Sequence, residues 1–509
     1  MQSNIIPEQI EKKWYVVLGW KFIAILFATQ FLGKGVYYGI LTYVLLPLFR
    51  SYGIDSSTYQ VLAATATLSW AFNPIIGLLS DKFVIFYYHK KYWMFICTII
   101  GLVGSGIAFE MSPVAVIIGF FLIHLEISTN DLMAESKYTE IIRDNPKTGT
   151  VIQSFVNALD QLGVMVGVII VGNLTQAGEF TPIFIIILLL SIPPLVFIIF
   201  EWFPEKRQPY CFQRVEMANI NVSKLQIILP ITTSVGAIFI GLSMMFFGNL
   251  VSIIMITLLL ILLIIGGLFA FPKIVSYTII YRTLTYIAYL NINGAMDYFY
   301  TSDIICNPSG PNFSYNYYIM YTGIIASLFS FVGTIIYEIA LSKWKFRTSL
   351  MVTSIAYSLA GLMDIIIVTR FNLVVGIPDK IFYMIGSTMI FSLIDMLAYI
   401  PLLTLISKTC PKGSEATIYG YIAGISIIAS AFSSVFGTYM TDWFGIITSG
   451  ENCDFNNLWI LILATHIILT VAILLPATFL LIPNIYPTDD IPIEKHSEKN
   501  EMTPMIPKV

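Results

Sequence analysis

Charge is what this sequence has least of. Only 11% of its 509 residues are Asp, Glu, Lys or Arg, and 57% are hydrophobic; a soluble globular protein carries about 25% charged residues. A water-soluble fold of this length would lack the polar surface to cover its core. The apolar residues run on for about 20 positions at a time, long enough to cross the roughly 30 Å hydrocarbon core as helices. Alternation over about 10 residues is missing, which excludes a transmembrane β-barrel. Cysteine is scarce, with five in the chain and no metal-like spacing. A Gly-rich nucleotide loop, a nucleophile elbow and a zinc helix motif are also missing. We therefore expect neither an enzyme nor an ATP-driven pump, and no cofactor or metal. The net charge of −3 gives no reason to expect a nucleic-acid partner. Residues 1–21 hold Glu8, Glu11, Lys12, Lys13 and Lys21 without an apolar core, so no secretory signal is expected there.

What remains is an all-α polytopic membrane protein with the lipid bilayer as its solvent. Fourteen apolar segments lie between residues 22 and 482. With the N-terminus in the cytoplasm, nearly all basic residues fall in inner segments, among them Lys82, Lys90, Lys91, Lys206, Arg207, Lys343 and Arg347. Outer segments hold only Arg50, Arg370 and Lys380. This is the positive-inside asymmetry, and it requires an even count with both termini inside. We read a cytoplasmic tail at 1–21, a six-helix half at 22–203 and a linker with an inserted helix pair at 204–274. A second six-helix half follows at 275–482, and a disordered cytoplasmic tail at 483–509. The segment 225–271 fits two spans better than one re-entrant hairpin.

The two halves repeat each other. Pro-Lys turns open NPKTGTVIQSFVNALDQLG (from Asn145) and CPKGSEATIYGYIAG (from Cys410). Gly172 and Gly437 follow them, 265 positions apart, and Asp131 and Asp395 sit at similar depths in the preceding helices. Parallel repeats of this size are how major facilitator carriers are built. The segment GLLSDKF, Gly77 to Phe83, resembles the signature between helices two and three of that superfamily. It casts Gly77, Asp81 and Lys82 as gating residues; a solvated inner loop is the other reading.

Longer stretches resemble one family within it. DLMAESKYTEIIRDNPKTG (from Asp131), FVNALDQLG (from Phe155), DYFYTSDIICNPSGPNFSYNYY (from Asp297), GIPDKIF (from Gly376) and SKTCPKGSEATIYGYIAG (from Ser407) are similar to the folate-biopterin transporters, closest to their protist branch. The resemblance implies a major facilitator fold and transport of folate, biopterin or a related pterin. S-adenosylmethionine is a substrate of some members.

Polar side chains inside the spans mark candidate sites, because ionisable groups in hydrocarbon are costly and face a pathway or a partner. Lys34, flanked by Gly33 and Gly35, is placed to pair with Asp131, Asp160 or a substrate carboxylate. His124, Ser128, Asp131 and Glu135 share one helical face. Gln153, Asn157, Asp160 and Gln161 make a polar stripe that suits the donor and acceptor edge of a pterin, or else glues helices together. Asn293, Asp297 and Tyr298, near Asn291, Tyr300 and Thr301, offer the counterpart in the second half. Their rings are read either as stacking surfaces or as an interfacial belt. Glu126, Asp131, Asp160 and Asp297 are the expected proton-coupling acids, with Asp364 and Asp395 as further buried acids. Cys306 and Cys453 both fall in outer loops, where a disulfide can form.

These features lead us to expect a secondary active carrier of a folate or pterin, coupled to a proton and placed in the plasma membrane. A carrier of another small solute, such as a sugar or nucleoside, and a non-transporting receptor are the alternatives.

Overall fold

The computed structural model describes residues 13–144, 149–209, 212–214, 224–409, 415–450, 453–487 and 489. Both Pro-Lys turns and most of the expected C-terminal tail lie outside the described residues. Thirteen helices among those described are long and apolar enough to cross a membrane. We label them α1 (Trp20–Ser51), α2 (Ser56–Lys82), α3 (Lys91–Ala108), α4 (Pro113–Ile142), α5 (Val151–Gln176), α6 (Thr181–Ile199), α7 (Lys224–Phe246) and α8 (Asn249–Ala270), then α10 (Asn316–Lys343), α11 (Phe346–Val368), α12 (Asp379–Ile406), α13 (Ala416–Trp443) and α14 (Leu458–Leu481). The remaining apolar segment, 275–303, folds as a broken helix, α9, made of Lys273–Ala288 and Asn293–Thr301. The fourteen expected segments are all helical; α6 is broken briefly by a turn at Ser191, and α9 by the longer stretch 289–292.

The stretch 225–271 forms two helices, each of spanning length. They lie outside the two six-helix halves, on the seam between α2 and α13. Ser234 of α7 donates to the Ala71 carbonyl (3.2 Å), and Tyr421 of α13 donates to the Leu263 carbonyl of α8 (2.8 Å). Such polar contacts help associate helices in lipid, where apolar burial gives little driving force.

At the end that carries the basic loops, here called inner, α2 ends at Lys82 and runs into a short strand, β1 (Phe83–Ile85). It pairs antiparallel with β2 (Phe212–Arg214), Phe83 opposite Arg214. Glu205 binds this corner to α3, accepting from the backbone N–H of His89 (2.6 Å) and of Lys90 and Lys91. A carboxylate at a helix N-terminus is stabilised by the unpaired N–H groups there. At the outer end, Cys306 and Cys453 are joined by a disulfide that ties the α9–α10 loop to the α13–α14 loop.

Four spans carry turns of π-helix: Phe27–Tyr37 in α1, Asn316–Tyr321 in α10, Met384–Ile390 in α12 and Leu463–Ile468 in α14. A π-turn leaves the regular hydrogen-bond ladder and is frequent at functional sites. Each of these four stretches contributes to a cavity described next.

Candidate functional site

Two cavities lie between the halves. The inner one, about 590 Å³, is lined from the first half by Lys34, Asp131, Glu135, Asp160 and Gln161, and from the second by Arg282, Tyr286, Asp395 and Tyr399. Lys34 Nζ pairs with Asp131 Oδ2 at 3.0 Å, and Gln30 Nε2 donates to the other oxygen of Asp131 at 3.0 Å. The π-stretch of α1 carries both Gln30 and Lys34. Across the cavity, the Arg282 guanidinium lies 4.7 Å over the Tyr286 ring and 5.3 Å over the Tyr399 ring, and it donates to the Tyr286 hydroxyl at 2.8 Å. The cavity thus holds one basic side chain from each half and four acids.

The outer cavity, about 410 Å³, shares Thr42 and Tyr43 with the inner one. Six tyrosines and Phe391 are among its lining residues. Asp297 accepts from Tyr318 (2.7 Å) and Tyr59 (3.1 Å), and Asp364 accepts from Tyr300 and Ser387 (2.7 Å each). His466 stacks on Tyr289 with ring centres 3.9 Å apart.

The break in α9 adjoins this cavity. Its exposed backbone is satisfied from both halves: Gln60 of α2 donates to the carbonyls of Asn291 (2.7 Å) and Ser434 (2.6 Å) and accepts from the Gly294 N–H (2.7 Å), while Ser433 accepts from the Asn291 N–H (2.8 Å). Irregular backbone at membrane depth is tolerated where protein supplies such partners. Gly437 brings α13 against the Asn291 carbonyl at this break.

Contacts between the halves crowd the outer end. Arg50 donates to the Thr301 carbonyl and hydroxyl (2.7 Å to the latter). The Tyr298 hydroxyl donates to the Ile54 carbonyl, beneath the Arg50 guanidinium. Ser56 bonds with Thr448 (2.6 Å), and Ser57 with Asp442 (2.9 Å). At the inner end, Asp81 crosses from α2 to the start of α13, where its Oδ2 accepts from the Thr417 N–H (3.1 Å) and hydroxyl (2.9 Å). Gly77 allows this approach, since a Cβ there would overlap the Ala416 carbonyl. Gly77 and Asp81 thus both meet α13 at the α2–α13 seam, and Lys82 ends α2 beside them.

Asp81→Ala is expected to loosen this seam by about 1 kcal/mol, the usual loss for a helix cap. In a Gln161→Cys background it should speed labelling by an impermeant thiol reagent applied from the inner side. Unchanged labelling would mean that glycine packing alone holds the seam.

Other expected site residues separate. Lys34, Asp131, Asp160 and Gln161 meet at the inner cavity, and Asn293 and Asp297 line the outer one. Tyr298, expected to bind substrate, is instead buried in the outer seal, because the break in α9 turns it toward Ile54. Gln153 and Asn157 lie before the cavity on α5 and are not among its lining residues. Glu126, expected to couple protons, is buried against α3 where Gly101 makes room for its carboxylate, and it lines neither cavity. Sequence reasoning missed Gln60, Arg282, Tyr59, Tyr383 and His466. Arg282 had a signal, an arginine well inside an apolar segment.

Two helical halves face each other across a central cavity, an architecture shared with solved membrane transporters. The fold is similar to the POT family transporter PepTSo (TM-score 0.60, 12% identity, covering 92% of this chain and 97% of that one) and to the human organic anion transporter MFSD10 (TM-score 0.56, 11% identity, 91% and 99%). The model of the BT1 family matches residues 34–502, and the chain belongs to that family. Among its relatives, "Probable folate-biopterin transporter 2" of Arabidopsis thaliana is 23% identical over 434 residues, 84% of this chain and 75% of that protein. "Probable folate-biopterin transporter 6" of the same plant is 31% identical over 167 residues, and the match spans 32% of each chain. "Folate transporter 1" of Plasmodium falciparum is 29% identical over 115 residues, 23% of each chain.

Proposed function

We propose that this protein carries folate or a related pterin across a membrane by alternating access, with proton coupling, and that the plasma membrane is its location. The observation that carries the reading is the inner cavity, with Lys34 and Asp131 from one half facing Arg282 and Asp395 from the other. A rocking motion of the halves would expose these groups to each side in turn. The names of the relatives supply the substrate class.

Coupling is argued from the count of charges. Among the described residues, four acids against two bases leave an excess of negative charge in the inner cavity. Uncompensated charge at membrane depth is costly. A proton binding to Asp131 or Asp160 would reduce it and help the loaded carrier to reorient, with Asp297 as the outer counterpart.

The test is uptake of labelled folate and biopterin into vesicles with and without a proton gradient. Uptake should rise with an inward gradient, and Asp131→Asn or Asp160→Asn should abolish that dependence. Full pH dependence in Asp131→Asn, Asp160→Asn and Asp297→Asn alike would reject the coupling scheme. The same acid excess suits a cationic solute, so competition by S-adenosylmethionine but not by folate would reassign the substrate.

A further inference from the structure

The two cavities differ in chemistry in a way that a one-part ligand would not use. The only Lys or Arg side chains lining either cavity, among the described residues, are Lys34 and Arg282, and both belong to the inner one. Lys34 is already paired with Asp131. Arg282 reaches no carboxylate among the described residues at ion-pair distance, and its bond to the Tyr286 hydroxyl uses one of its five N–H groups. A guanidinium placed 4.7 Å from one aromatic ring centre and 5.3 Å from another is positioned to receive a carboxylate through two parallel bonds.

The outer cavity has the opposite character. Its two carboxylates have hydroxyls as neighbours and, among the described residues, no Lys or Arg. Asp364 takes both of its bonds on Oδ1, which leaves Oδ2 with none among the described residues. His466 Nε2 bonds with the Leu290 carbonyl, and its buried Nδ1 has no partner among the described residues. Tyr289, Tyr300, Tyr318 and Tyr383 surround these acceptors. The two open acceptors, Asp364 Oδ2 and His466 Nδ1, lie among aromatic faces and suit a flat ring rich in N–H groups, while the carboxylates repel an anion. Thr42 and Tyr43 line both cavities, so the two sites adjoin across α1.

We propose that one substrate spans both cavities, with an N–H-rich heterocycle among the tyrosines beside Asp364 and Asp297, and a carboxylate tail on Arg282, assisted by Lys34. This rests on the reading of the chain as a folate or pterin carrier. It assigns the ring site to all substrates and the Arg282 site only to those with an acidic tail.

The test is equilibrium binding of labelled folate and biopterin to the purified full chain in detergent, with the aminobenzoyl-glutamate half of folate as competitor. Size-exclusion profiles check the fold of each variant. Arg282→Gln is expected to weaken folate about 10- to 100-fold, the span of a lost charged hydrogen bond, and to leave biopterin within about twofold. The tail fragment should compete in the parent chain and not in Arg282→Gln. Arg282→Lys, which keeps the charge without the fork, should retain part of the folate affinity. Asp364→Asn should weaken both ligands about tenfold. Equal losses of folate and biopterin in Arg282→Gln, no loss of either, or loss of folate alone in Asp364→Asn would overturn the proposal. A parent chain that binds neither ligand would reject the substrate reading itself, whereas binding of both without a split among the variants rejects only the two-site arrangement.

Discussion

Lys34→Ala is expected to abolish uptake and to lower the melting midpoint of the purified protein, and adding Asp131→Asn is expected to restore stability without restoring uptake. The Lys34–Asp131 pair is 3.0 Å long, and Asp131 is 9% exposed. Removing one partner of a buried pair costs about 3–5 kcal/mol, because the other charge is stranded. Lys34 is 31% exposed to the cavity, so water softens the loss toward about 1–3 kcal/mol. In the double variant Gln30 meets a neutral amide, and the stranded charge is gone. Transport should still fail, since the cavity has lost its first-half base. Thermal denaturation in detergent and initial uptake rates measure the two effects separately. Normal uptake by Lys34→Ala would reduce the lysine to a packing residue.

Gly163→Val should cost nearly as much by a different route. Gly35 and Gly39 of α1 meet Gly163 and Gly167 of α5, each pair at the four-residue spacing of close helix contacts. A Cβ on Gly35 would lie 2.6 Å from the Gly163 Cα, and one on Gly163 would overlap the Phe31 carbonyl. Overpacking of this kind costs about 1–3 kcal/mol. It also pushes α5 away from α1, and α5 holds Asp160 one turn earlier, opposite Lys34 in the inner cavity. Uptake below about a tenth of the parent rate is expected with the protein still in the membrane, since small shifts at a binding site can cost 10²-fold. Gly106→Ala is the control, because a Cβ there meets nothing within 4 Å. Wild-type uptake in Gly163→Val would show that the helices can part without harm to the site.

The contrast between these positions shows where sequence reasoning reaches. Lys34 and Asp131 were legible because a charge inside an apolar run requires a partner. Glu126 followed the same rule and yet lies off both cavities, because burial between α3 and α4 also hides a carboxylate from lipid. Tyr298 shared a short polar helix with Asp297, and only the turn of that helix separates a sealing residue from a lining one. The break at Asn291 was masked by the apolar residues on either side, although Asn291, Asn293 and Gly294 are all weak helix formers.

The sequence by itself determined that this chain crosses a membrane many times, which ends of its helices carry the basic loops, that it has two similar halves, and that a few charges lie at membrane depth. Those properties follow from transfer free energies, which act residue by residue along the chain. The tertiary structure alone decided which of the buried polar groups share a cavity. It set Arg282 opposite Lys34, closed the outer end with Arg50 and Tyr298, and opened π-turns in four helices toward the two cavities. Those outcomes depend on how helices distant in sequence rotate and cross, and a one-dimensional pattern of hydrophobicity carries no term for the angle at which one helix meets another.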